Sequence, residues 1–252
     1  MLLYAMLALC ALLIGLLVYR YDLHDREPWQ MLLLAVVMGA GGMFLAGRVQ
    51  VLVLRQVVSA GADVADFNLA LAASAAVTEE LAKLAVVWII ALGWRRQFND
   101  PMDGLIYGSF AGLGCAIEEA VYLYGWPHGE VFLPLQEPIR LLGHLVMGGI
   151  GGFAVGLWRV RFMAWPVAVP AGWAAAVGIH FVWDVIALSA GERGRMLPWH
   201  TAGAVATMFS GLFLYALLVR VGFAMSQRTF APQSRRSLLG WPFVRGGRPR
   251  RE

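Results

Sequence analysis

The chain has 252 residues, 60% of them hydrophobic and only 14% charged, with a mean hydropathy of +0.66 and a formal net charge of +4. A soluble domain of this size carries about 25% charged residues, so the composition excludes one and leaves no room for a large soluble domain beside membrane spans. The two cysteines, Cys10 and Cys115, fall in apolar runs, where they read as packing residues and are too few for a cysteine-based metal cage.

A bilayer core takes about 20 apolar residues per helix. Seven runs qualify in chain order, at 2–19, 30–47, 68–93, 102–124, 138–158, 164–189 and 202–223. The first lacks a basic leading segment, and "LLVYRYDLHDREP" follows it without an Ala-x-Ala-like cleavage site. It is therefore expected to be a retained helix rather than a signal peptide. The stretch 48–67 either extends the second helix or lies at the membrane interface. Asp100-Pro101 predicts an N-cap followed by proline at the first helical position. The expected fold is an all-α polytopic membrane helix bundle of about seven transmembrane helices. Residues 1–226 form its single domain, and 227–252 a basic, disordered cytoplasmic tail.

Counting Lys and Arg in alternate loops gives the orientation. One side collects 14 arginines, from Arg20 and Arg26 through Arg95, Arg96, Arg159 and Arg161 to the tail, and the other side four: Arg48, Arg55, Arg193 and Arg195. The positive-inside rule then places the tail in the cytoplasm and the N-terminus outside. The pI near 9.4 calls for no nucleic-acid partner, because most of the excess sits in this tail, which reads as an orientation signal and disordered segment and would also suit an anionic leaflet.

Gly104, Gly108 and Gly112 recur at four-residue spacing in the fourth run, and Gly148, Gly152 and Gly156 in the fifth. Small residues at that spacing let helix backbones approach closely, which places these two helices deep in the bundle.

Against this background the ionisable residues stand out. The third run carries Glu79, Glu80 and Lys83; the fourth Glu118 and Glu119; the fifth Arg140 and His144; the sixth His180 and Asp184. A Lys or Asp at a membrane helix centre costs roughly 2.5–3.5 kcal/mol. Spacings of four (Glu79 to Lys83, Arg140 to His144, His180 to Asp184) put each pair on one helix face, which must point into the bundle. With alternating helix directions, all four groups fall at similar depth, in or near the outer half. Lys83 and Arg140 read as charge balance, whereas Glu118 is free to face outward because neighbours on a helix differ by about 100°. The glutamates and histidines can perform general acid–base chemistry, or His144, His180 and a glutamate, taken as Glu80, can hold a divalent ion such as zinc. Residue types and spacing do not choose between these.

The motifs also carry a resemblance. "EELAK", "FNDPMDGLIYGSFAGLGCAIEEAVY" and "YDLHDREPWQ", followed by the two histidine helices, resemble in order the hallmark segments of the PrsW family of membrane proteases over residues 19 to about 190. That family is related to the CAAX prenyl endopeptidases and bacteriocin-immunity-type membrane proteases, in which a glutamate-activated water is thought to act. The resemblance implies a membrane-embedded endopeptidase cleaving a membrane-anchored protein, such as an anti-sigma factor, in a bacterial inner membrane. It implies catalytic roles for Glu79, Glu80, Glu119, His144 and His180, with Glu79 as the base, and Asp184 joins this set from its place one turn from His180. Ala120 stands where the family usually has Asn, Cys115 where it has Phe, and Asp184 where the prenyl endopeptidases have Asn. An ionised Asp cannot donate to an oxyanion, so Asp184 is assigned to fixing the His180 tautomer or binding metal.

Two other classes compete. A proton- or ion-coupled transporter can use the same carboxylates but favours broken helices and inverted repeats, which the sequence lacks. A non-catalytic membrane scaffold is favoured by Ala120. There is no His-Glu-x-x-His, Gly-x-Ser-x-Gly or Gly-x-Gly-Asp motif for other intramembrane protease types.

Overall fold

The computed structural model describes residues 1–20, 26–125, 129–192 and 197–230. Among them are seven α-helices and no strand: α1 (Leu2–Tyr19), α2 (Trp29–Ser59), α3 (Val64–Gly93), α4 (Pro101–Tyr124), α5 (Glu137–Arg159), α6 (Trp165–Glu192) and α7 (Pro198–Phe230). Helices α1, α2, α5, α6 and α7 are each long and apolar enough to cross a membrane. Helices α3 and α4 match them in length, at 30 and 24 residues, but carry the ionisable residues.

The ambiguous stretch 48–67 resolves into the end of α2 and the start of α3. The break comes where Gly61 adopts φ +79, and Asp63 then caps α3 by accepting from the Asp66 amide at 2.8 Å. Asp100 caps α4 in a capping box with Asp103, followed by Pro101, as the sequence predicts. Helix α7 extends beyond the apolar run 202–223 at both ends, to Pro198 and Phe230, since neither Gly nor Pro interrupts Ser226–Phe230. The rest of the basic tail, Arg193, Arg195 and the whole "YDLHD" segment, residues 21–25, lie outside the described residues.

Neighbouring helices alternate in direction. Gly104 meets Gly152, Gly108 meets Gly148 and Gly112 meets His144, so α4 and α5 run antiparallel. At each contact the backbones touch: a Cβ on Gly108 would lie 2.1 Å from the Gly148 carbonyl oxygen. The glycine stripes therefore do what their spacing predicts, and α4 and α5 form the most extensively packed pair. Gly39 and Gly114 bring α2 equally close to α4, and Cys115 donates to the Gly39 carbonyl oxygen at 3.2 Å. Most of α4 is buried behind its neighbours, which explains how an acidic helix sits in an apolar bundle.

Part of the motif set is scaffold. Glu27, Asp100, Asp103 and Tyr107 are all buried where α2 and α4 begin, and the Tyr107 hydroxyl donates to the Glu27 carboxylate. The Asp103 carboxylate accepts from the amides of Asn99 and Asp100 at 2.6 and 2.8 Å. Tyr107 and Glu119 are 12 residues apart on α4, or roughly 18 Å along its axis at 1.5 Å per residue. These residues tie helix ends together, well away from the histidines.

Candidate active site

Helices α3, α4, α5 and α6 bring the intramembrane polar residues into one cluster. The His144 and His180 rings meet edge to face with centroids 5.4 Å apart. Glu79 Oε2 lies 4.0 Å from His144 Nδ1 and 3.7 Å from His180 Nε2. One donor atom from each of these three buried residues falls within 4.8 Å of the others.

The remaining nitrogen of each histidine is held by a second carboxylate. His180 Nδ1 is 2.7 Å from Glu80 Oε1, and His144 Nε2 is 3.1 Å from Glu119 Oε2. A carboxylate on one ring nitrogen fixes the tautomer and turns the lone pair of the other toward the cluster. Asp184 Oδ2 approaches His180 on the opposite nitrogen, Nε2, at 3.4 Å. Glu80 thus occupies the tautomer-fixing position considered for Asp184, while Asp184 sits on the open side of the ring.

The cations pair differently from the four-residue spacing. Lys83 Nζ bonds Glu80 Oε1 at 2.6 Å, one turn back, rather than Glu79. Arg140 is clamped by Glu137, with Nε at 3.0 Å and Nη2 at 2.5 Å from Oε2, and its Nη1 pairs with Glu119. The cause is rotation: Glu79 and Glu80 differ by about 100° around α3. Glu80 therefore faces Lys83 and α6, and Glu79 faces the open space. Glu80, the glutamate of the expected ligand set, is engaged by Lys83 and His180 Nδ1, and Glu79 is the glutamate whose oxygen converges with His144 and His180.

The cluster opens into a cavity of about 920 Å³ lined by α2 to α7. Its walls are largely apolar, with Phe44, Val51, Ile139 and Trp183 among them. Glu79, Glu119, His144, His180 and Asp184 all reach it. Glu118 lines it as well, half-buried and without an ion partner among the described residues, rather than facing away from it.

A family model described as PrsW family intramembrane metalloprotease matches residues 27–213, well over half of the chain. The chain belongs to that family. It is an integral membrane protein and a membrane-embedded protease. A search of curated proteins and a search of solved structures each found no match.

The family's metal can be tested against this protease's own atoms. Glu79 Oε2 and His144 Nδ1 are buried and have no hydrogen-bond partner. Leaving such atoms unsatisfied costs about 1–3 kcal/mol each. Among the described residues, Lys83 pairs with Glu80, and Arg140 with Glu119 and Glu137, while Glu79 and Asp184 have no Lys or Arg partner. Around a tetrahedral zinc with bonds near 2.0–2.2 Å, ligand atoms stand roughly 3.3–3.6 Å apart. Glu79 Oε2 stands 3.7 and 4.0 Å from the two histidine nitrogens, and the three donor atoms lie within 4.8 Å of one another, so a His2Glu set fits once the ligands move inward.

Sequence reading missed Glu137 and Gln50. Glu137 is fully buried against Arg140 at the start of α5. Gln50 donates from its amide to Glu79 Oε1 at 3.1 Å, and it lay in the stretch whose helical state was ambiguous.

Proposed function

We propose that the protein hydrolyses a peptide bond in a membrane-anchored protein substrate, such as an anti-sigma factor, within the cavity in the outer half of a bacterial inner membrane. The N-terminus lies outside and the C-terminus in the cytoplasm, following the arginine asymmetry. One observation carries the reading: Glu79 Oε2 and His144 Nδ1, both buried and unpartnered, converge with His180 on an otherwise apolar cavity.

Glu79, His144 and His180 would hold a divalent ion, with zinc matching the His2Glu donor set. When bound, the ion supplies Lewis acidity to polarise the carbonyl to be cleaved. The other groups support these three. Glu80 and Glu119 orient the histidines, while Lys83 and Arg140 pair with those carboxylates and fix them in place. Asp184 is a carboxylate placed to work on water beside the cluster, being about a quarter exposed, lining the cavity 3.4 Å from His180 Nε2 and having no Lys or Arg partner among the described residues. It takes the proton from the attacking water and returns it to the leaving amine. The base role expected of Glu79 passes to Asp184 because the free Glu79 oxygen is the one aimed at both histidines. The apolar walls accept a substrate helix or an unwound stretch of one, and exclude bulk water.

The test uses purified wild-type protein and Glu79→Gln with a panel of single-span candidate substrates, with and without a zinc chelator. Wild-type protein should yield a peptide product that both the substitution and the chelator suppress. Equal processing by the two proteins would sink the proteolytic assignment of this site. Ion flux without peptide product would instead favour a transporter.

A further inference from the structure

The carboxylate of Glu79 turns about a terminal bond whose torsion is broad and nearly two-fold, so the side chain alone does not decide which oxygen faces the histidines. Among the described residues it receives one hydrogen bond, from Gln50 Nε2 to Oε1 at 3.1 Å. The same nitrogen lies 3.1 Å from Thr78 Oγ1. Thr78 spends its hydroxyl proton on the Ser74 carbonyl oxygen at 2.7 Å, so it meets Gln50 as an acceptor. Two acceptors facing one amide require its NH2 group rather than its oxygen, with one N–H for each. The Gln50 amide is thereby fixed by Thr78 and in turn fixes Glu79.

We propose that Gln50 is a positioning residue for the active site: it holds Glu79 Oε1 from α2, leaving Oε2 free and aimed at His144 Nδ1 and His180 Nε2. Gln50 touches neither histidine and acts only through Glu79. It lies on the part of α2 that forms the cavity wall beside Arg48 and Val51, so the orientation of the ligand is tied to the position of that wall. The hydrogen bond needs no metal, but its consequence for metal affinity rests on the His2Glu reading above.

The test uses the full chain, purified in detergent, with Gln50→Met, which keeps the side-chain length and removes the donor. Zinc affinity is measured by competition with a chromophoric chelator for wild type, Gln50→Met and Glu79→Gln. Partners behind a ligand are typically worth 10–100-fold in metal affinity, so Gln50→Met should bind zinc 10–100-fold more weakly than wild type. If Glu79→Gln loses zinc and Gln50→Met binds it as wild type does, the positioning role is overturned. A second measurement is independent of metal. The Glu79 carboxylate band, isolated as the infrared difference against Glu79→Gln, should shift when Gln50→Met is introduced into both proteins. An unmoved band overturns the proposal whether or not zinc binds. If Glu79→Gln retains wild-type zinc affinity, the His2Glu reading fails, and the infrared band alone then decides for or against Gln50.

Discussion

Glu80 Oε1 and His180 Nδ1 lie 2.7 Å apart across α3 and α6, although 100 positions separate them in the chain. The same oxygen holds Lys83 Nζ at 2.6 Å. Glu80 therefore joins a buried cation to a histidine whose other nitrogen faces the cavity. One residue couples the stability of the bundle to the geometry of the site.

That coupling predicts opposite outcomes for two substitutions. Glu80→Gln leaves Lys83 buried without its counter-ion, and breaking a buried pair from one side costs about 3–5 kcal/mol. Thermal unfolding of the purified protein should show a large drop in Tm. Combining Glu80→Gln with Lys83→Met removes both charges and should recover much of the loss. Zinc affinity should stay weakened by about 10–100-fold in the double variant, because His180 still lacks its carboxylate partner. Recovery of both properties together would contradict the separate roles.

Lys83→Met alone should lower expression and Tm more than the intrinsic cleavage rate. Its ammonium touches Glu80 and is 1% exposed, so it does not reach the cavity. A rate loss as large as that of Glu79→Gln, in protein that remains folded, would move Lys83 into the chemistry.

Glu79 and Asp184 should separate by metal content. Glu79→Gln removes a ligand, and both bound zinc and cleavage should fall. Asp184→Asn should keep zinc and lose about 10²–10⁴-fold in rate, the usual worth of general acid–base catalysis. Metal analysis beside single-turnover kinetics distinguishes them. If Asp184→Asn empties the site, Asp184 is a fourth ligand instead of the base.

Gly112→Ala tests the link between helix packing and catalysis. Its Cβ would lie 2.1 Å from the His144 carbonyl oxygen, so α5 has to move away where it carries the imidazole. Both Tm and zinc affinity should decrease. Gly41→Ala is the control, since nothing lies within 4 Å of its added carbon. It should match wild type in both.

Orientation is checked by cysteine labelling in a background carrying Cys10→Ala and Cys115→Ala. Gly129→Cys, in the loop between α4 and α5, should label from outside intact cells. Ser234→Cys should label only after permeabilisation. The reverse pattern would place the site in the cytoplasmic half of the membrane.

Much of this protein was legible from local pattern. Hydropathy over about 20 residues marks a helix whatever its neighbours are, so the seven runs correspond to α1–α7. The glycine stripes named α4 and α5 as partners because only small residues let backbones touch, and the ordered motifs matched the family later found over 27–213. The exchange of partners within the site was not legible. Spacing offered Lys83 to Glu79, but the rotation of α3 within the bundle gave it to Glu80 and turned Glu79 toward the histidines. Gln50 was missed for the same reason, because nothing beside it in the chain indicates Glu79 as a partner, whereas Glu137 stands three residues before Arg140 on α5 and its pairing was open to the same spacing argument. Sequence periodicity fixes angles within one helix. The roles of these side chains depend on the rotation of each helix relative to the others, and that is set by close packing across the whole bundle.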